Sequence, residues 1–322
     1  MRPLAKDLCH RVKRKIIRAI AYFCIGLFVG QILSITVRAE EPIKGDLARE
    51  QWPDQLVIEV GEIRTRISGE KLWTLSGAEY RDSVMATEDS AYGSVLVLRG
   101  AGLLGTAHFL DIPGKPGEVE KENVTNLRFT LDGKVLDQIP TSNRLVGESF
   151  RYQRDSFIRT LRRSSSISIE RNLLIETVHF RANDRLDLQC VYPWMYAWNK
   201  TATAYVFGNN REIVKRGEFR TVGEVRTEMF KDVTWMATYD AACEQGSVCC
   251  SIKHPAGADL WFLLIDAPEA YRKVIGYSLE NKVLEPDFTG TYQAAVSFFR
   301  ASKHQWESVA RQRAYEIRDS IK

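Results

Sequence analysis

Residues 165–180 read SSISIERNLLIETVHF, and this stretch decides the fold. Its two parts, Ser165–Glu170 and Leu173–Phe180, have the length of β-strands. The second part alternates between two sets of residues, of which one is Leu174, Glu176, Val178 and Phe180 and the other is Ile175, Thr177 and His179. A period of two places the two sets on opposite faces of an extended chain, so we predict two strands here.

A hairpin signal lies upstream of this stretch. Leu127–Leu131 and Lys134–Asp137 are joined by Asp132-Gly133, a dipeptide typical of two-residue hairpin turns. About fifteen such runs recur between residues 56 and 299, with turn residues between them. Parallel sheets need crossover helices of a dozen or more residues, and none is evident here. The sequence therefore predicts an all-β protein, a large antiparallel β-sandwich.

One helix is predicted at the C-terminus. Its apolar residues repeat at spacings of three and four and would form one stripe along a helix: Trp306, Ala310, Ala314, Ile317 and Ile321. Ser302 and Gln305 have the spacing of a capping box at its start. We expect this helix to lie against a sheet, with docking to a partner as the alternative.

The first 39 residues have the layout of an export signal. A basic stretch to Arg18 precedes an uncharged run over residues 19–37, and Val37-Arg38-Ala39 supplies small or aliphatic residues before a cleavage point. An uncleaved membrane anchor through residues 19–37 is the alternative, and both interpretations export the rest of the chain. We therefore expect a periplasmic or extracellular protein, with a loose lead-in at 40–54 and a single domain at 55–322.

The net charge of +4 comes from the first 39 residues, which hold eight basic residues and one acid. The remaining 283 residues hold 37 bases and 40 acids, which argues against nucleic acid as a partner. Four cysteines follow the signal: Cys190, Cys243, Cys249 and Cys250. In an oxidising compartment we expect Cys243 to bridge to Cys249 or Cys250, with the remaining one near Cys190. Free buried thiols are the alternative, and no metal site or cofactor is predicted.

The candidate catalytic residues surround a loop rich in Gly and Pro. His108 precedes this loop and Glu118 and Glu120 end it. A histidine with a carboxylate can move protons between the oxygens of a sugar, and loops on rigid scaffolds commonly carry such groups. A cross-strand hydrogen bond for His108 and solvated loop positions for the two glutamates are the structural alternative.

The candidate substrate-binding residues are aromatic. The sequence YPWMYAW at 192–198 contributes Tyr192, Trp194, Tyr196 and Trp198, and ring faces of this kind pack against the C–H face of sugars. Large aromatics also fill cores, so a plug between the two sheets is the alternative. His179, on the other face of its strand from the apolar set, is a further candidate that would point either to solvent or into a cleft.

A resemblance to known proteins supports the hypothesis of a carbohydrate site. Several segments of the chain resemble secreted bacterial β-sandwich proteins of unassigned function. These segments are Trp73, Tyr92-Gly93, the 105–108 and 117–120 stretches, the hairpin at 131–134, Tyr192-Pro-Trp194-Met195 and the run from Asp232 to Tyr239. The overall plan resembles the galactose-mutarotase-like supersandwich, shared by sugar epimerases and by the β domains of polysaccharide lyases. Mutarotases rely on two histidines and a glutamate; the resemblance implies that His108 and Glu118 or Glu120 fill two of these roles, while a second histidine has no clear counterpart.

The sequence thus indicates an exported protein that interacts with carbohydrate. A lyase, epimerase or hydrolase that uses a His/carboxylate pair is one hypothesis. A non-catalytic glycan-binding or structural cell-envelope protein is the other. A cleft that gathers the histidine, the carboxylates and the aromatics would favour the first.

Overall fold

The computed structural model describes residues 47–87, 94–100, 102–104, 111–112, 115–116 and 122–321. The predicted signal at 1–39 lies outside the described residues, as do the start of the lead-in, His108, Glu118 and Glu120. Within the described residues no helix has the length and apolar character that a membrane span requires. The export signal and its anchor alternative therefore stay predictions.

Thirteen strands of the described residues form the large sheet: β1 (Gln55–Val60), β2 (Ile63–Ser68), β3 (Thr74–Tyr80), β4 (Ser83–Ala86), β5 (Val95–Leu98), β6 (Gly102–Leu104), β11 (Arg144–Gly147), β15 (Leu186–Tyr192), β16 (Met195–Asn199), β19 (Arg226–Phe230), β22 (Leu260–Ala267), β23 (Tyr271–Ser278) and β24 (Val283–Leu284). Their main order is β11-β1-β2-β3-β4-β16-β23-β15-β5-β6, with β22 beside β23, β19 beside β22 and β24 beside β15.

Ten more strands form the second sheet: β9 (Asn123–Leu131), β10 (Lys134–Val135), β12 (Ser149–Ile158), β13 (Leu161–Glu170), β14 (Leu173–Ala182), β17 (Ala204–Gly208), β18 (Ile213–Glu218), β20 (Trp235–Asp240), β21 (Gln245–Lys253) and β25 (Thr289–Arg300). They are ordered β10-β9-β12-β13-β14-β25-β21-β20-β17-β18. Two short strands, β7 (Asp111–Ile112) and β8 (Lys115–Pro116), pair with each other. Single helical turns occupy Arg49–Gln51 and Gly69–Lys71.

The predicted antiparallel sandwich is confirmed. Among the described residues the strand pairs are antiparallel except β1 with β11. The hairpin at Asp132-Gly133 forms as predicted, with Lys134 opposite Leu131. The inner faces of the sheets meet in one core, where Tyr80 of the large sheet lies against Phe298 of the second sheet with ring centroids 5.8 Å apart.

The C-terminal helix α1 (Trp306–Ser320) packs on the outer face of the second sheet. The ring of Trp306 lies parallel to that of Tyr239, with centroids 5.1 Å apart. The predicted apolar stripe is confirmed, since Trp306, Ala310, Ala314 and Ile317 are buried. The predicted capping box is wrong: the helix begins at Trp306, and Gln305 precedes it without a side-chain cap bond.

Two residues that precede β1 contact the sandwich. Leu47 is buried, and its amide donates to the carbonyl of Leu127 at 3.1 Å. Trp52 packs against the same core and donates from its indole to the Leu47 carbonyl at 3.0 Å. Both residues lie in the segment 40–54 that the sequence analysis set apart as a lead-in.

Candidate functional site

The aromatic cluster at 192–198 is divided between the two faces of the large sheet. Trp194, Tyr196 and Trp198 point inward and are at most 2% exposed. Trp194 and Tyr196 are stacked at 5.7 Å, and Tyr196 and Trp198 at 5.8 Å. Rings enclosed in this way offer no face to a sugar, so these three residues form the core plug that was the alternative to a binding platform.

Tyr192 has the opposite orientation. It belongs to a cluster on the outer face of the large sheet, which we define as the face turned away from the second sheet. Its strand neighbour Val191 packs in the core, as the alternation of a strand requires. The floor of the cluster is apolar and buried, and it consists of Val95, Val97, Cys190, Met195 and Ile275.

Three partly exposed rings cross this face, and we call Tyr192, Tyr277 and Trp261 the aromatic row. Tyr277 lies directly opposite Trp261 in the register of β23 and β22, and their rings are parallel within 6° at 5.6 Å. Tyr192 approaches Tyr277 at 5.8 Å with a tilt of 43°. The Nζ of Lys231 lies 4.0 Å from the centre of the Trp261 ring. A half-exposed row with an ammonium at one end therefore lies outside the core.

Polar groups accompany the row. The Tyr277 hydroxyl donates to Oε1 of Glu280 at 3.1 Å. Burial raises the pKa of Tyr277 and of Tyr192, so both hydroxyls stay protonated across the physiological range and can donate hydrogen bonds. Burial also raises the pKa of the Cys190 thiol beneath them to about 11, which keeps it an unreactive thiol at neutral pH.

Lys273 lies on the same outer face, four residues before Tyr277 on β23. It is 1% exposed, and its Nζ lies 4.4 Å from the centre of the Tyr271 ring. Burial and, to a smaller extent, the charge of Lys71 together lower the pKa of Lys273 to about 7. An amine with such a pKa exchanges protons near neutrality, a property common in functional sites.

The structure does not bring His179 to this face. Its side chain is exposed on the outer face of the second sheet, where Nδ1 lies 2.8 Å from the Thr291 hydroxyl. The two outer faces are on opposite sides of the sandwich. His179 and Tyr192 therefore cannot contact one small ligand, and the structure does not bring His179 together with the aromatic candidates.

A second polar cluster, which the sequence analysis missed, lies between the sheets. The carboxylate of Glu122 accepts from Arg154 at 3.1 Å and from Arg163 at 2.7 Å, and the Ser156 hydroxyl donates to it as well. These four side chains are buried. Burial alone would raise the pKa of Glu122, but the charges of Arg154 and Arg163 hold it below its ordinary value.

Glu176 extends this cluster toward a small cavity. It accepts a hydrogen bond from the Tyr196 hydroxyl at 2.8 Å, and burial raises its pKa. The cavity beside it has a volume of about 10 Å³ and is lined partly by Arg163 and Ser165. That volume holds about one water molecule and no sugar, so the cluster is a structural feature of the core.

The four cysteines of the described residues are free thiols, and the predicted Cys243 disulfide is wrong. Cys243 lies in the turn between β20 and β21, whereas Cys249 is four residues beyond Gln245 along β21, about 13 Å at the rise of a strand. A disulfide needs Cα atoms within about 7 Å. Cys249 and Cys250 face opposite sides of the second sheet, and Cys190 lies on the far face of the other sheet.

Among the described residues no group of three or more His, Cys, Asp and Glu side chains has a metal-binding arrangement. The aromatic row is therefore the best-defined candidate site within the described part of the chain. Its members Trp261 and Tyr277 were missed by sequence reasoning, because each is a single aromatic in an ordinary strand and the two meet only through strand register.

No protein-family model matches the chain, and no curated protein matches its sequence. Solved structures do overlap with it. A GH36 α-galactosidase from Geobacillus stearothermophilus overlaps with a TM-score of 0.48 and 10% identity over 80% of this chain and 41% of the enzyme. A galactose mutarotase-like protein from Clostridium acetobutylicum overlaps with a TM-score of 0.45 and 8% identity, over 75% of this chain and 94% of that protein.

A galactose mutarotase related enzyme from Lactobacillus acidophilus overlaps with a TM-score of 0.41 and 8% identity, over 77% of this chain and 98% of the enzyme. The chain thus spans 41% of the length of the α-galactosidase. Galactose-mutarotase-like proteins are among these structures.

Proposed function

We propose that the protein binds carbohydrate on the outer face of the large sheet. The observation that carries this proposal is the aromatic row of Tyr192, Tyr277 and Trp261, which is partly exposed while the neighbouring rings of Trp194, Tyr196 and Trp198 are buried. Binding sites combine apolar or aromatic surface with a few placed polar groups, and this row has both.

Each part of the row has a role in such binding. The indole of Trp261 provides apolar area against the C–H groups of a sugar ring, while the Tyr277 hydroxyl and the Glu280 carboxylate provide hydrogen-bond partners for sugar hydroxyls. The buried apolar floor beneath fixes the rings in place, so little side-chain entropy is lost when a ligand binds.

Trp261→Ala is expected to weaken glycan binding by roughly 1–3 kcal/mol, the range known for aromatic stacking on planar bases and used here as an upper guide. The measurement is calorimetric titration with ligands chosen from a panel of neutral and acidic polysaccharides. Trp52→Ala is the matched control, because Trp52 is also a partly buried tryptophan but lies outside the row. Equal binding by the wild type and Trp261→Ala would rule out the row as the site.

A catalytic version of this function is the second candidate. β6, from which the chain continues to His108, pairs with β5, and β5 contributes Val95 and Val97 to the floor of the outer face. In this version His108 and Glu118 or Glu120, which lie outside the described residues, are proposed as the acid–base pair of a lyase, epimerase or hydrolase.

His108→Ala is expected to abolish turnover of a bound glycan, because the proton transfer loses its donor and acceptor, while the affinity for the glycan changes little. Product formation and the dissociation constant are measured on the same preparation. His304→Ala, which removes an exposed histidine beside helix α1, serves as the control. Unchanged turnover in His108→Ala would eliminate this histidine as the acid–base group and leave the non-catalytic binding function.

A further inference from the structure

Lys231 occupies one end of the aromatic row. It directly follows β19, and β19 pairs with β22 so that Phe230 lies opposite Phe262. The next position on each strand places Lys231 beside Trp261, with its Nζ 4.0 Å from the ring centre. Because β22 lies between β19 and β23, Lys231 and Tyr277 flank Trp261 from opposite sides.

This placement limits what can stack on Trp261. The side of the indole that faces Tyr277 is already in contact with another ring. A sugar that approaches from the other side must displace the ammonium, which loses its attraction to the indole face. A neutral sugar has no charged group that could replace this attraction. A sugar with a carboxylate does, because the displaced ammonium can pair with it in a charge-assisted hydrogen bond.

A carboxylate lies beside the middle ring of the row. Glu280 accepts a hydrogen bond from the hydroxyl of Tyr277 at 3.1 Å, and Tyr277 flanks Trp261 on the side away from Lys231. A ligand acid group is repelled near Tyr277 and attracted near Lys231. These two charges therefore give the site a polarity that orients an acidic ligand and disfavours the reversed orientation.

On the basis of the proposed sugar site, we infer that its ligand is an acidic sugar, a uronate whose carboxylate pairs with Lys231 while its ring lies against Trp261. The class of ligand follows from the charges of Lys231 beside Trp261 and of Glu280 beside Tyr277, and the stacking surface is the ring of Trp261. Lys231 is thus the residue that determines specificity at this site.

The test compares pairs of polymers that differ only in charge. Polygalacturonate, alginate and hyaluronan are each titrated beside their methyl-esterified forms, against the wild type, Lys231→Met, Trp261→Ala and the control Lys303→Met, which removes an exposed lysine elsewhere. The wild type is expected to bind at least one acidic polymer about tenfold more tightly than its ester, and this preference weakens as salt is added. Lys231→Met is expected to bring the ratio close to one, with an unchanged melting temperature.

Three results would overturn the inference: a preference for the esters in the wild type, an acid preference that survives in Lys231→Met, or no binding of any acidic polymer. The failure of the proposed function has a different signature. In that case Trp261→Ala binds every polymer as the wild type does, whereas a failure of the acidic-sugar inference alone leaves a Trp261-dependent affinity for neutral polymers.

Discussion

Glu122→Ala is expected to lower the free energy of unfolding by about 3–5 kcal/mol, the usual cost of breaking a buried ion pair from one side. The carboxylate of Glu122 is the partner of both Arg154 and Arg163, and all three side chains are at most 3% exposed. Its removal leaves two guanidinium groups between the sheets without the carboxylate that pairs with both of them. Chemical denaturation followed by circular dichroism at neutral pH measures this loss.

Two further variants show whether charge is the cause. Glu62→Ala breaks the exposed pair between Glu62 and Arg81 and is expected to change stability little, because water replaces the lost partner. Replacement of Glu122, Arg154 and Arg163 together by Leu and Met is expected to recover much of the loss, since none of these three charges then remains buried. A small effect of Glu122→Ala, similar to that of the exposed pair, would mean that water reaches the cluster.

The same cluster explains why one strand was not predicted. β12 carries Arg154 at an inward position between Tyr152 and Ser156, where the alternation rule expects an apolar residue. The residue pattern of β12 therefore does not show the apolar and polar alternation of a half-buried strand, and it resembles that of a polar loop. The partner that makes such a burial tolerable, Glu122, is 32 residues away in sequence and becomes adjacent only in the folded sandwich. The residue pattern of a single sequence contains no signal for the contact between Glu122 and Arg154.

Other elements were predictable because their signals are local. The Asp132-Gly133 turn and the apolar stripe of helix α1 depend on residues within one turn or one helix, and both form. The strand β16 was missed for the reverse reason. Its first four residues, Met195 to Trp198, are all buried, so the alternation of apolar and polar residues disappears.

The candidate site, too, depends on contacts between strands that are distant in the sequence. Tyr192 was singled out because it stands next to other aromatics in the sequence, and it does lie on the outer face. Its ring contacts Tyr277, which lies 85 residues further along the chain, and Tyr277 in turn stacks on Trp261. Sequence proximity therefore identified one member of the row, while strand register supplied the other two.

Trp194 is the residue for which the sequence-based and structure-based interpretations make opposite predictions. As part of a sugar platform it would affect binding and leave the fold intact. In the structure it is 1% exposed, stacked on Tyr196 and in edge contact with Phe262 at 5.2 Å. Gly276 lies so close beneath the indole that a Cβ there would come within 2.7 Å of it. The site of Trp194 is therefore closely packed on several sides.

Trp194→Ala is expected to lower the free energy of unfolding by about 3–5 kcal/mol, because it empties a closed site that the surrounding sheets cannot fill. Trp194→Phe is expected to cost less: it retains a ring, and it removes an indole N–H that has no acceptor among the described residues. Gly276→Ala tests the same contact from the other side and is expected to cost roughly 1–3 kcal/mol by overpacking.

These variants also distinguish the core from the site when binding is measured below their melting temperatures. The folded fraction of Trp194→Phe is expected to bind glycan as the wild type does, whereas Trp261→Ala is expected to be nearly as stable as the wild type and to bind weakly, because its indole is only partly buried. The reverse pattern, in which Trp194→Phe loses binding at full stability, would return the site to the 194–198 cluster. The two tryptophans differ in one respect that decides these outcomes, which is the face of the large sheet on which each side chain lies.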